Sequence, residues 1–141
     1  MVATAESCTG GWVAAAMTAV PGSSGWFERG FVTYSNAAKQ ESLGVAAATL
    51  EREGAVSEAV AREMAQGALR HSHAHTAVAI TGIAGPTGGS PGKPVGTVCI
   101  AWAGPASRVE SVTHRFQGDR DEVRRQSVRS ALQGLIERLA P

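Results

Sequence analysis

Ala5-Glu6-Ser7-Cys8-Thr9-Gly10-Gly11 is the stretch whose surroundings decide how this 141-residue chain folds. Ahead of it, Met1–Ala5 is short and apolar and predicts a buried strand. Behind it, Trp12, Val13, Ala16, Met17 and Val20 recur at helical spacing. A helix is therefore expected over about Gly10–Val20, capped by Thr9 and stopped by Pro21-Gly22. A strand that runs through a tight turn into a helix is the opening of an α/β unit.

The same pattern continues outward. Arg29–Tyr34 predicts a second strand, carrying the apolar pair Phe31 and Val32. Ser35 or Asn36 can cap a short helix that reaches Leu43 and ends at Gly44, and another short helix is expected near Ala46–Glu53. Ser57 caps a longer one with Val60, Met64, Ala65, Ala68 and Leu69 on its apolar face. Thr76–Thr81 predicts a third strand. Val95–Ala103 and Arg108–Phe116 predict an antiparallel hairpin joined by Gly104-Pro105-Ala106-Ser107. Asp119 and Glu122 stand at capping-box spacing, ahead of a stripe of Val123, Val128, Ala131, Leu132, Leu135, Ile136 and Leu139. The expected fold is a single α/β layered domain over residues 1–141, with a mixed sheet of about five strands flanked by helices.

Composition narrows the function. The formal net charge is +1, so there is no basic surplus to hold a nucleic acid. No apolar run approaches the ~20 residues that span a bilayer, and no basic-then-apolar leader opens the chain, so a cytoplasmic protein with no membrane partner is expected. Two isolated cysteines, Cys8 and Cys99, point to a reducing compartment and to no zinc site. His71, His73 and His75 cluster where a helix ends, with no acidic residue among them to complete a metal site. His114 lies in a strand with no evident partner. No metal and no cofactor are expected.

Four segments can carry chemistry. Ser7 sits where a strand meets a helix, a place that exposes a hydroxyl beside unpaired N–H groups around Cys8, Thr9, Gly10 and Gly11. Those donors can hold an oxyanion; alternatively Ser7 and Thr9 are only helix caps. A nucleophilic serine needs a base, and the better partners lie in Tyr34-Ser35-Asn36-Ala37-Ala38-Lys39. Eleven of the 13 cations are arginines, leaving only Lys39 and Lys93 as lysines. A desolvated lysine can give up its proton, whereas arginine stays charged, so Lys39 can act on Ser7 directly or through Tyr34. A solvated surface lysine is the plain alternative.

Gly82–Pro94 holds five glycines and three prolines and resembles a ligand loop, or an ordinary surface loop. It is no Walker A motif: Thr87 stands where the first glycine belongs and Pro94 replaces the metal-binding hydroxyl. Last, Gly118-Asp119-Arg120 opens the final helix with Arg124 one turn on. This basic pair is offset either by Asp121 and Glu122 or by a substrate phosphate.

Taken in order, five pieces resemble the CinA C-terminal domain family, the nicotinamide-nucleotide amidohydrolases. They are Ala3–Gly11, Gly30–Lys39, Thr81–Pro86, Pro94–Val98 and Phe116–Arg120. The resemblance implies hydrolysis of the carboxamide of nicotinamide mononucleotide to nicotinate mononucleotide and ammonia, in pyridine-nucleotide salvage. It makes Ser7 the nucleophile and gives its proton to Tyr34 and Lys39. It assigns substrate binding to Thr81, Gly82, Ala84, Gly85 and Arg120, with Arg124 or Arg125 as alternatives to Arg120. Cys8 is the rival nucleophile. A small-molecule partner and a homo-oligomer, a dimer in the first instance, are expected.

The family's usual helix ahead of the first strand is missing, so either the true start lies upstream or one sheet face is covered differently, for instance by another subunit. The nucleotide-cleaving domain of longer relatives is also missing, so no metal-dependent pyrophosphatase activity is expected. The rival function is a non-catalytic nucleotide-binding or regulatory protein linked to competence or DNA damage.

Overall fold

A computed structural model describes residues 1–140. Five strands form one mixed sheet: β1 (Val2–Glu6), β2 (Phe27–Val32), β3 (Thr76–Gly82), β4 (Thr97–Ala103) and β5 (Val109–Arg115). Their order is β2-β1-β3-β4-β5. β1 pairs in parallel with β2 and β3, while β3–β4 and β4–β5 are antiparallel. The helices are α1 (Trp12–Thr18), α2 (Asn36–Leu43), α3 (Ala47–Glu53), α4 (Glu58–Arg70) and α5 (Arg120–Leu139). This is the α/β single domain with a mixed sheet that the sequence predicts.

The two sheet faces differ in side-chain size. Toward α4 the strands present Ala3, Ala5, Ala77, Ala79, Ala101 and Ala103, and α4 answers with Ala61, Ala65 and Ala68. Small residues on both sides let the helix lie close to the sheet. Toward α1 and α5 the strands present Val78, Ile80, Val98, Ile100 and Trp102. Alternation of small and large residues along each strand thus sorts the helices onto opposite faces.

That sorting positions the site. The β1-to-β2 connection runs through α1 on one face, and the β2-to-β3 connection runs through α2–α4 on the other. The crossovers therefore part at the carboxyl end of β1, which is where α/β sheets open a crevice for ligands.

Several boundaries shift for physical reasons. α1 begins at Trp12, because Gly10 and Gly11 take left-handed φ values of 59° and 105° that no helix accommodates. Thr9 does not cap α1; its hydroxyl donates to the Glu6 carboxylate at 2.7 Å. β2 spans Phe27–Val32, in register with β1, and Thr33 and Tyr34 lie beyond it. Ile136 and Leu139, expected on the buried stripe of α5, are 64% and 54% exposed. With Val20 and Trp26 they line an apolar surface groove. The local caps stand where expected: Ser35, Ser57 and Asp119 accept from the amides of Ala38, Val60 and Glu122.

Candidate active site at the carboxyl end of the first strand

β1 is held on both sides up to its last residue. The Thr33 amide donates to the Glu6 carbonyl and the Ser7 amide donates to the Ile80 carbonyl, each at 2.9 Å. Ser7 therefore leaves the sheet from a fixed point. Its side chain is nearly buried, at 8% exposure.

Lys39 meets it there. Ser35 caps α2, which places Lys39 one turn into the helix and buried. Nζ lies 3.1 Å from Ser7 Oγ, 2.9 Å from the Thr33 carbonyl and 3.4 Å from the Tyr34 carbonyl. Lys39 is 1% exposed, and among the described residues no carboxylate forms an ion pair with it. Burial without a counter-ion pulls its pKa below the ordinary lysine value.

Cys8 is in a different state. Burial pushes its thiol up to about 11, so the nucleophilic thiolate is scarce near neutral pH. Its side chain is also shut away, at 6% exposure. The serine is the better placed of the two neighbours.

The turn's N–H groups are not all free. The Gly10 amide donates to the Ser7 carbonyl at 3.0 Å. The amides of Gly11, Val13 and Ala14 donate to the Glu6 carboxylate at 3.2, 2.8 and 2.9 Å. Gly10 and Gly11 are thereby removed as oxyanion donors, the first by the Ser7 carbonyl and the second by the buried Glu6 carboxylate. Among the described residues no backbone carbonyl or side chain accepts a hydrogen bond from the Cys8 or the Thr9 amide.

Tyr34 and Arg120 meet each other rather than Ser7. Arg120 Nη2 donates to Tyr34 Oη at 3.2 Å, and Nη1 donates to the Gly85 carbonyl at 2.8 Å. One guanidinium thus ties the β2–α2 loop to the Gly-rich loop, and Tyr34 remains 62% exposed. Ala84 and Pro86 line an open cavity with Gly118, Asp119 and Arg120. Thr81 stands apart. Its hydroxyl donates to the Ala55 carbonyl at 2.9 Å, which leaves it anchoring the approach to α4. Gly82 closes β3 against Val98. Lys93 donates to the Glu53 carbonyl at 2.7 Å and pins the Gly-rich loop to α3.

Arg124 and Arg125, the alternatives to Arg120, point elsewhere. Arg125 pairs with Asp121 at 2.9 Å. Arg124 donates to the carbonyls of Cys8 and Thr9 at 3.1 and 3.3 Å. This contact and the role of Glu6 are additions from the tertiary structure. Glu6 did leave a signal: a charged residue at the end of an apolar strand, three before a threonine and next to a helix start, must find donors locally. Arg124 left none.

Comparison with known proteins follows the same outline. The CinA C-terminal domain family matches residues 1–139. The chain is 57% identical over 136 residues to the nicotinamide-nucleotide amidohydrolase PncC of Pseudomonas putida, covering 96% of this chain and 84% of that protein. It is 60% identical over 136 residues to the protein of the same name from Escherichia coli K12, covering 95% and 81%. Among solved structures, the competence/damage inducible protein CihA from Agrobacterium tumefaciens superposes with a TM-score of 0.95 at 51% identity, covering 97% of this chain and 84% of that one. The chain belongs to the CinA C-terminal domain family.

Proposed function

We propose that residues 1–141 form one amidohydrolase domain that converts nicotinamide mononucleotide to nicotinate mononucleotide and ammonia, in pyridine-nucleotide salvage. The substrate class follows the relatives, whose name is nicotinamide-nucleotide amidohydrolase. The observation that carries the chemistry is the buried 3.1 Å contact between Lys39 Nζ and Ser7 Oγ, with no counter-ion to Lys39 among the described residues.

A neutral amine fits the Lys39 environment. It has two N–H donors for the Thr33 and Tyr34 carbonyls and one lone pair for the Ser7 hydroxyl. Ser7 Oγ attacks the carboxamide carbon as its proton passes to Lys39 Nζ. The Thr9 amide, with that of Cys8, donates to the oxyanion. Lys39 then returns the proton to the departing nitrogen, the C–N bond breaks, and ammonia leaves a nicotinoyl ester on Ser7. Water gives a proton to Lys39 and adds to the ester; on collapse Lys39 returns that proton to Ser7 Oγ, and the acid released loses its proton to solvent as the carboxylate.

Arg120, held between Gly85 and Tyr34 beside an open cavity, suits the anionic phosphate of the mononucleotide. Tyr34 is taken as its support, so Lys39 alone handles the serine's proton. No described helix is long and apolar enough to cross a membrane. A cytoplasmic setting and a homodimer complete the proposal.

The test is ammonia release from the mononucleotide, set against nicotinamide and the dinucleotide. Release that vanishes in Ser7→Ala supports the enzyme. Binding of the mononucleotide without turnover supports the regulatory alternative.

A further inference from the structure

Two charged side chains that are neither nucleophile nor base hold the turn on which Ser7 rides. The first is Glu6. It is fully buried, and its carboxylate accepts from the Thr9 hydroxyl and from the amides of Gly11, Val13 and Ala14. No described cation pairs with it. Its charge is offset by N–H and O–H dipoles alone, which requires those donors to stay aimed at it.

The second is Arg124, which reaches across from α5. Nε donates to the Cys8 carbonyl and Nη2 to the Thr9 carbonyl, and its guanidinium lies 5.2 Å from the Trp12 ring centre. A trans peptide points its C=O and N–H in opposite directions. Holding the Cys8 carbonyl toward α5 therefore turns the Thr9 N–H away from α5. Glu6 fixes the N–H groups that follow, and Arg124 fixes the C=O groups between them and Ser7.

We propose that Glu6 and Arg124 are positioning residues for the reaction at Ser7, fixing the Ser7–Gly11 turn so that the Thr9 amide stays free and aimed at the developing oxyanion. This rests on Ser7 being the nucleophile. It also takes Arg124 out of substrate binding, because its guanidinium lies on the Cys8 and Thr9 carbonyls and Arg120 is the arginine that lines the open cavity. Arg120 keeps that task. The consequence is a separation in kinetics: loss of either positioning residue slows the chemical step and leaves substrate binding nearly intact.

The experiment compares Glu6→Gln, Glu6→Ala, Arg124→Lys and Arg124→Ala with the parent protein by three measurements. They are kcat and KM for ammonia release, the rate at which a fluorophosphonate labels Ser7, and the melting curve. In variants folded at the assay temperature, kcat and the labelling rate are expected to fall together by roughly ten- to a hundredfold, as small misplacements of reacting groups do. KM is expected to stay within about threefold, because uniform binding is untouched.

Gln keeps one acceptor oxygen and Lys keeps the charge, so each is expected to recover part of what its Ala variant loses. Folded Glu6→Gln and Arg124→Lys variants with parental kcat and labelling rates overturn the proposal. A raised KM with unchanged kcat in Arg124→Lys overturns it too, by returning Arg124 to substrate binding. If Glu6→Gln fails to fold, the partly buried Arg124 decides the matter alone. Failure of the parent protein to label at Ser7 is a separate outcome, which overturns the serine nucleophile and with it this proposal.

Discussion

Lys39 Nζ lies 3.1 Å from Ser7 Oγ across 32 residues of sequence, and among the described residues no carboxylate shares the contact. Buried charges are ordinarily paired; among the described residues two backbone carbonyls and a hydroxyl are what meets this one. A lysine in that setting gives up its proton more easily, and the group beside it is the one that must lose a proton to react.

The nucleophile can be checked directly. Ser7→Ala is expected to lower ammonia release from the mononucleotide by at least about 10³-fold while leaving the melting temperature nearly unchanged, as for other hydrolase nucleophiles. Iodoacetamide at neutral pH is expected to leave activity intact, since the Cys8 thiol is buried with its pKa pushed up to about 11. Rapid inactivation by the alkylator would move the nucleophile to Cys8.

Lys39 sets a pH dependence whose sign is fixed. Its folded pKa is lowered by burial, so the neutral base accumulates as pH rises through a value below the ordinary 10.5. The kcat/KM profile is expected to rise on its acidic side with a midpoint below that value. Lys39→Arg is expected to remove the limb and lower the rate by about 10²- to 10⁴-fold, the usual contribution of a general base. Stability follows the same proton. Between the folded pKa and 10.5 the unfolded chain binds more protons, so the parent protein gains stability relative to Lys39→Met as pH rises through this window. Denaturant midpoints measured across pH check it.

Tyr34 and Arg120 are expected to separate from the dyad. Arg120→Ala removes both the Gly85 and the Tyr34 contacts, and KM for the mononucleotide is expected to rise by about tenfold or more, the worth of one charge-assisted contact. Tyr34→Phe removes only the phenol that Arg120 holds, and kcat is expected to stay within about tenfold of the parent. A kcat loss as large as that of Lys39→Arg would put Tyr34 in the proton path.

Gly134 tests the packing. In the middle of α5, alanine has the better helix propensity by about 1 kcal/mol. A Cβ there would run into Trp102 Cζ2, whose indole Nε1 is fixed on the Ala131 carbonyl at 3.1 Å. Gly134→Ala is therefore expected to destabilise the protein by about 1–3 kcal/mol, the cost of overpacking a filled core. A higher melting temperature would refute the contact.

Much of this fold was legible in the sequence, because its signals are local. Ser35, Ser57 and Asp119 cap the helices they precede, since a hydroxyl or carboxylate three residues from an open amide has no nearer competitor. Thr9 stood in the same relation to α1 and was misread. The Glu6 carboxylate, a stronger acceptor brought close by the turn, takes those amides and the threonine hydroxyl as well. Ile136 and Leu139 continue the apolar period of α5 past the end of the core, where periodicity alone does not reveal what lies opposite.

The Ala5–Gly11 stretch by itself determined that a strand would give way to a helix and leave a serine at the junction. Strand and helix periods and the two glycines are properties of the nearest few residues. What surrounds that serine was decided only by the tertiary structure. Lys39 arrives from 32 residues away and Arg124 from 116, brought there by parallel pairing of β1 with β2 and by α5 packing across the sheet. Contacts at such separations depend on which faces the helices bury. Their energies arise from desolvated charge, which no local pattern encodes.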